Sequence, residues 1–83
     1  MDEIIFYNLN DVNIDGYYRI SYKDYNEKIH SADILILYKD NSFYDAVTNK
    51  KWKDDELNEI KLQMHLFNDT NDKSCWIKLL KKI

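Results

Sequence analysis

The sequence predicts a small α+β fold: an antiparallel sheet of about four strands, followed by two C-terminal helices packed on one face. Three observations carry this. All seven tyrosines (Tyr7, Tyr17, Tyr18, Tyr22, Tyr25, Tyr38 and Tyr44) lie in the first 44 residues. The long heptad-like apolar stripe lies after residue 54. Strand patterns followed by helical ones in this order indicate segregated sheet and helix rather than alternating βα units.

The elements follow in chain order. Ile4, Ile5, Phe6 and Tyr7 make a short apolar run, as a buried strand requires. Residues 8–16 carry turn chemistry. From Tyr17 to Lys23 the pattern alternates: Tyr18, Ile20 and Tyr22 share one face, and Tyr17, Arg19, Ser21 and Lys23 the other. Asp24 to Lys28 reads as a loop. Ile34 to Tyr38 is apolar on both faces, the pattern of a central strand. Asp40-Asn41-Ser42 is a tight-turn signal, and Phe43 to Thr48 returns as the second arm of a hairpin.

At Trp52 the period changes. Asp54, Asp55 and Glu56 provide a cap and an acidic first turn. Leu57, Ile60, Met64 and Phe67 then recur at helical spacing. Residues 68–71 break the helix. The last segment admits two readings. As a strand it would turn Cys75, Ile77 and Leu79 inward. As a helix it would align Trp76, Leu79, Leu80 and Ile83, with Lys78, Lys81 and Lys82 opposite. The helix is the preferred expectation, because it segregates the lysines and places them where the dipole favours cations.

At 83 residues the chain is expected to form one domain, residues 1–83, with a single thin core. Its one cysteine allows no intrachain disulfide, so dense aromatic packing, a partner or self-association must compensate. Twelve aromatic residues suit that role. No apolar run approaches the ~20 residues that span a bilayer, and the opening Met1-Asp2-Glu3 has the wrong charge for a signal peptide. A cytoplasmic protein without membrane association is expected. The Asn68-Asp69-Thr70 sequon then carries no glycan. One glycine, no proline and abundant Asn, Lys, Ile and Tyr indicate an AT-rich genome, such as that of a low-GC bacterium or its phages.

The formal net charge is -3, unevenly spread. Residues 1–45 carry nine acids and four bases, and residues 46–83 six acids and eight bases. Lys73, Lys78, Lys81 and Lys82 are fewer than the basic stripe of a nucleic-acid binder, so direct nucleic-acid contact is not expected.

Asp11-Val12-Asn13-Ile14-Asp15-Gly16 resembles the first half of an EF-hand calcium loop, with oxygens at positions 1, 3 and 5 and glycine at 6. The second half departs from it, because position 12 is Tyr22 where a bidentate Glu belongs. The segment reads instead as a turn, with Asp15-Gly16 supplying positive φ. His30, His65 and Cys75 lack metal-ligand spacing, and a zinc site needs at least three protein ligands. No serine stands on a glycine elbow, Cys75 has no adjacent base, and a single glycine allows no glycine-rich phosphate loop. No catalytic residue, metal ligand or cofactor is assigned, and the protein is not expected to be an enzyme.

Two features point to a contact surface. Leu62 and Leu66 fall opposite the Leu57/Ile60/Met64/Phe67 stripe, beside Asp55 and Glu59, where they serve a partner unless the C-terminal segment covers them. From Tyr17 to Asp33 the chain mixes tyrosine, which offers contact area at low entropic cost, with acids that seek basic surfaces (Tyr17, Tyr22, Asp24, Tyr25, Glu27 and Asp33), and of these Tyr22, Asp24, Tyr25 and Glu27 are assigned to partner binding. The expected function is a non-catalytic acidic protein–protein interaction module whose partner presents a basic surface. Size, acidity, tyrosine content and lack of chemistry resemble those of small inhibitors from mobile elements, such as anti-CRISPR proteins. That resemblance is one of composition. It implies a partner whose nucleic-acid-binding surface is occupied by carboxylates in place of phosphates. The alternative is a small-ligand or nucleotide-binding protein that uses tyrosines for stacking, its pocket formed at a homodimer interface.

Overall fold

A computed structural model describes residues 3–69 and 73–83. Five strands form one antiparallel sheet: β1 (Ile5–Phe6), β2 (Gly16–Lys23), β3 (Ile29–Lys39), β4 (Ser42–Asp45) and β5 (Cys75–Lys82). Their order is β1-β5-β2-β3-β4. A single α-helix, α1 (Asp54–Asn68), and a short 3-10 turn, Leu9–Asp11, complete the described elements.

The expected second helix is therefore overturned. Residues 75–82 are β5, a fifth strand inserted between β1 and β2. Alternation explains it: Cys75 and Ile77 are buried, while Trp76 and Lys78 are only partly so. Cys75, Ile77 and Leu79 join the core side, as the strand reading of this segment required. The deciding term is non-local. β5 pairs along β2 from Gly16↔Lys82 to Tyr22↔Cys75 and meets β1 at Ile5↔Lys78 and Phe6↔Ile77. A helix there would leave the backbone groups of one edge of β2 without these partners, at a cost that lysine segregation and a dipole term of under about 1 kcal/mol cannot offset.

Elsewhere the elements fall close to expectation. β2 begins one residue early and alternates as read up to Ile20, with Tyr18 and Ile20 buried and Tyr17 and Arg19 exposed, whereas Ser21, expected on the outer side, is buried. β3 is longer than the Ile34–Tyr38 segment. It pairs Arg19↔Leu35 and then Ser21↔Ser31, so Ala32, Asp33 and Ile34 together oppose Ile20 in a bulge. Asp40 and Asn41 both take positive φ (51° and 61°), the two-residue turn that matches strand twist in a hairpin. β4 ends at Asp45, short of Thr48, because the Asp45 carboxylate accepts the N–H groups of Val47 (2.8 Å) and Thr48 (3.2 Å) and bends the chain away. Trp52 N–H then returns to Phe43 O at 3.0 Å. Lys53, one residue before the expected cap, is the N-cap of α1, and its N–H donates to Glu56 Oε1 at 3.1 Å.

Gly16 has a different role from the one expected. Its φ is not positive, and it begins β2 instead of closing a turn. A Cβ there would stand 2.5 Å from Lys81 O and 2.6 Å from Leu79 Cδ1. The glycine admits the β5 irregularity at Leu80, where the register passes from Tyr18↔Leu79 to Tyr17↔Lys81.

The core lies between the sheet and α1. Tyr18, Ile20, Ile36, Cys75 and Ile77 from the sheet meet Met64 from α1 and Leu9 and Val12 from the 3-10 turn and its exit. Leu57 and Ile60 pack against this cluster, so the inner stripe of α1 is as read from its periodicity. The opposite face of the sheet has none of the described helices on it.

Candidate functional site

The β2–β3 connection is held by one carboxylate. Asp24 Oδ1 accepts the backbone N–H groups of Asn26 and Lys28, both at 2.9 Å. Its Oδ2 lies 2.8 Å from His30 Nε2. Glu27 takes positive φ (61°) to close the loop, and Glu27 N–H donates to Asp24 O at 3.0 Å. The His30 hydrogen bond, assisted by the backbone donors, holds the Asp24 carboxyl below the usual carboxylate range. His30 in turn stacks on Tyr22, with ring centroids 5.1 Å apart and planes 19° apart. Tyr22 meets Phe67 at 5.4 Å. A row of rings thus runs from the loop, past the end of the central strand β2, to the end of α1.

A cleft of about 830 Å³ opens beside this row, lined by Tyr22, Lys23, Asp24, Tyr25, Glu27, Leu66, Phe67 and Ser74. Five of the six residues singled out from the sequence (Tyr22, Asp24, Tyr25, Glu27 and Leu66) therefore meet in one place. Tyr25 is fully exposed at its rim. Leu62, the sixth, lies one turn earlier on α1 and does not line the cleft. It is 53% exposed and Leu66 57%. The C-terminal segment cannot cover them as a helix, because it is strand β5.

Sequence reading missed Phe67 and His30. Phe67 belongs to the inner stripe by period, but it stands at the last turn of α1, is 39% exposed, and overhangs the cleft. His30 looked like an isolated soft ligand. The signal was its position across a loop from Asp24, which the hairpin brings into hydrogen-bond range.

The end of α1 is tied down nearby. The Asn68 carboxamide donates to Cys75 O (2.9 Å) and Tyr7 O (3.1 Å), and its Oδ1 accepts the Cys75 N–H (2.9 Å). Cys75 is buried, and burial pushes its thiol up to about 11. That is the setting of a packed sulfur rather than a nucleophile. Among the described residues no group of three or more His, Cys, Asp or Glu side chains is placed to hold a metal ion. In the calcium-like segment Asp11 N–H donates to Asn8 O, Val12 is buried in the core, and the Tyr18 hydroxyl donates to Ile14 O.

Among the described residues no helix is long and apolar enough to cross a membrane. Comparisons with protein-family models, with curated proteins and with solved structures find no match for this chain.

Proposed function

We propose that this protein is a non-catalytic interaction module that receives a basic segment of another protein in the cleft between the β2–β3 loop and the end of α1. The convergence of Tyr22, Asp24, Tyr25, Glu27 and Leu66 on that cleft carries the reading. Aromatic and apolar lining supplies contact area, and Glu27 supplies a carboxylate that the loop does not consume. The adjoining helix extends the acidity. Between Asp54 and Asn68 it carries Asp54, Asp55, Glu56 and Glu59 against a single lysine, Lys61. A partner whose basic surface ordinarily holds phosphates would meet carboxylates here, and the module would act as an inhibitor of that partner.

One observation favours a second reading. The cleft volume falls within the ~300–1,000 Å³ of small-molecule sites, and the exposed rings of Tyr25 and Phe67 offer stacking surfaces for a nucleotide base. Amide chemical-shift mapping separates the two. Titration with an arginine-rich peptide should move Tyr22, Tyr25, Glu27 and Leu66 and lose effect in a Tyr25→Ala/Glu27→Lys double variant. Saturable shifts at the same residues with a nucleoside triphosphate, and none with the peptide, would replace the first reading with the second.

A further inference from the structure

We propose that the uncovered face of the sheet binds single-stranded nucleic acid, with Trp76, Tyr17 and Tyr44 stacking on bases and Arg19, Lys39, Lys51 and Lys81 meeting phosphates. The registers define this face. One row runs across it as Lys81, Tyr17, Leu37, Tyr44 and Lys51. The next is Ile5, Lys78, Arg19 and Leu35, and the third is Trp76, Ser21 and Ser31. Contacts agree with the assignment: Lys39 Nζ stands 5.3 Å from the centroid of the Tyr44 ring, and the Ser21 and Ser31 hydroxyls are 3.3 Å apart. Leu37 is only 4% exposed although it lies outside the core cluster, because Tyr17 and Tyr44 flank it on the neighbouring strands.

Charge selects the occupant. Counted along the chain, the strand-rich half is acidic. Folding regroups the charges. β5 carries Lys78 and Lys81 to a position beside Arg19, and the acids of α1 lie on the other layer. Glu3, two residues before β1, is tied to Lys78 at 2.8 Å. Asp33 stands in the β3 bulge. Arg19, Lys39, Lys51 and Lys81 remain, all exposed and outside the described salt bridges. Face-to-face pairing with a second copy would oppose these cations to one another. Duplex nucleic acid hides its base faces, whereas the rings need unstacked bases, and rings among cations are the chemistry of single-strand binding. This surface is separate from the cleft and does not depend on its occupant.

The test uses fluorescence anisotropy with labelled oligothymidylate and oligouridylate of about 12 nucleotides at low salt, alongside quenching of tryptophan emission. The expected result is saturable binding with quenching, weakening with salt at a log–log slope of about -2.8 for four phosphate contacts on a single strand. Tyr17→Ala should weaken binding by roughly 5- to 150-fold with little change in slope. Arg19→Glu/Lys81→Glu, two exposed positions that keep folding separate from binding, should reduce both affinity and slope. Tyr25→Ala in the cleft should leave binding unchanged. Absence of binding at low salt would overturn the proposal. So would equal affinity for polyglutamate or duplex DNA, insensitivity to Tyr17→Ala, or loss on Tyr25→Ala. Preference for one of the two oligonucleotides identifies the natural source as DNA or RNA.

Discussion

Asn68→Ala should destabilise the protein strongly, although it places the best helix former at a helical position. β1 spans only two residues and pairs β5 at Lys78 and Ile77. The strand that should continue beside Cys75 is absent, and the Asn68 carboxamide takes its place. It satisfies both the N–H and the C=O of Cys75 and also the carbonyl of Tyr7. Three neutral hydrogen bonds at about 1 kcal/mol each set the scale. The part-buried Cys75 groups left unpaired keep the loss from being smaller, and rescue by water at the exposed Tyr7 carbonyl trims it. A loss of about 2–4 kcal/mol is expected. In a domain of this size about 3 kcal/mol lowers Tm by roughly 12–24 °C.

The assay is paired thermal and urea unfolding followed by far-UV circular dichroism, with Asn58→Ala as the control. Asn58 is exposed within the same helix, so its replacement should be neutral or stabilising by a few tenths of a kcal/mol through propensity alone. Asn68→Asp sharpens the comparison. It keeps the acceptor for Cys75 N–H but sets a carboxylate against two carbonyl oxygens, so it should do no better than alanine. If Asn68→Ala matched Asn58→Ala in sign and size, the carboxamide would contribute nothing, and the pairing of β5 would have to be self-sufficient.

Four further outcomes follow from the same geometry. Gly16→Ala should cost about 1–3 kcal/mol by urea unfolding, since a Cβ meets the Lys81 carbonyl, and a gain from reduced chain entropy would refute the close approach. Cys75 should react slowly with a thiol reagent at pH 8 until denaturant is added, because burial of the sulfur and its raised pKa act together. The lowered Asp24 pKa means that its stabilising share is present above the normal carboxylate range and fades as pH falls through the folded value. Asp24→Asn should therefore flatten the acid limb of the stability–pH profile, and an unchanged limb would show that the loop does not depend on the charge. Replacing Leu62 and Leu66 together by Glu should leave dichroism and cooperative melting intact, because both side chains are more than half exposed, and unfolding of the variant would place them in the core.

What the sequence made legible was local. Alternation through β2, the Asp40-Asn41 turn and the inner stripe of α1 each depend on residues within a few positions of one another, so period and turn chemistry expose them. β5 was missed for the opposite reason. Its stability comes from Ile5–Phe6 and Gly16–Lys23, between 53 and 73 positions away, and no window of sequence contains those partners. The eight residues Cys75–Lys82 satisfy both a helical and a strand pattern, and only the vacant edge of β2 distinguishes them. Gly16 was misjudged for the same reason: glycine suggested a turn, whereas it answers to the backbone of β5. Asn68 does end α1, as its turn chemistry indicated, but the tie of its carboxamide to β5 was not legible.

The same segment governs what the surface can do. Read as a helix, residues 75–82 would have presented their lysines on an isolated solvated stripe, and the strands would have remained an acidic sheet. As β5 they carry cations into the middle of the sheet, next to Arg19, and leave α1 with an acidic, leucine-bearing outer side. A net charge of -3 conceals this division. Under the two proposals the sides take opposite partners: the cleft and helix a basic segment, the open sheet a polyanion. Their ionic-strength responses should be affected by different substitutions. Arg19→Glu/Lys81→Glu should reduce the polyanion slope and leave peptide-induced shifts at Tyr25 and Glu27 in place. Tyr25→Ala/Glu27→Lys should do the reverse. If either pair removed both responses in a protein that still melts cooperatively, the two surfaces would be a single site, and the separation drawn from the register would fail.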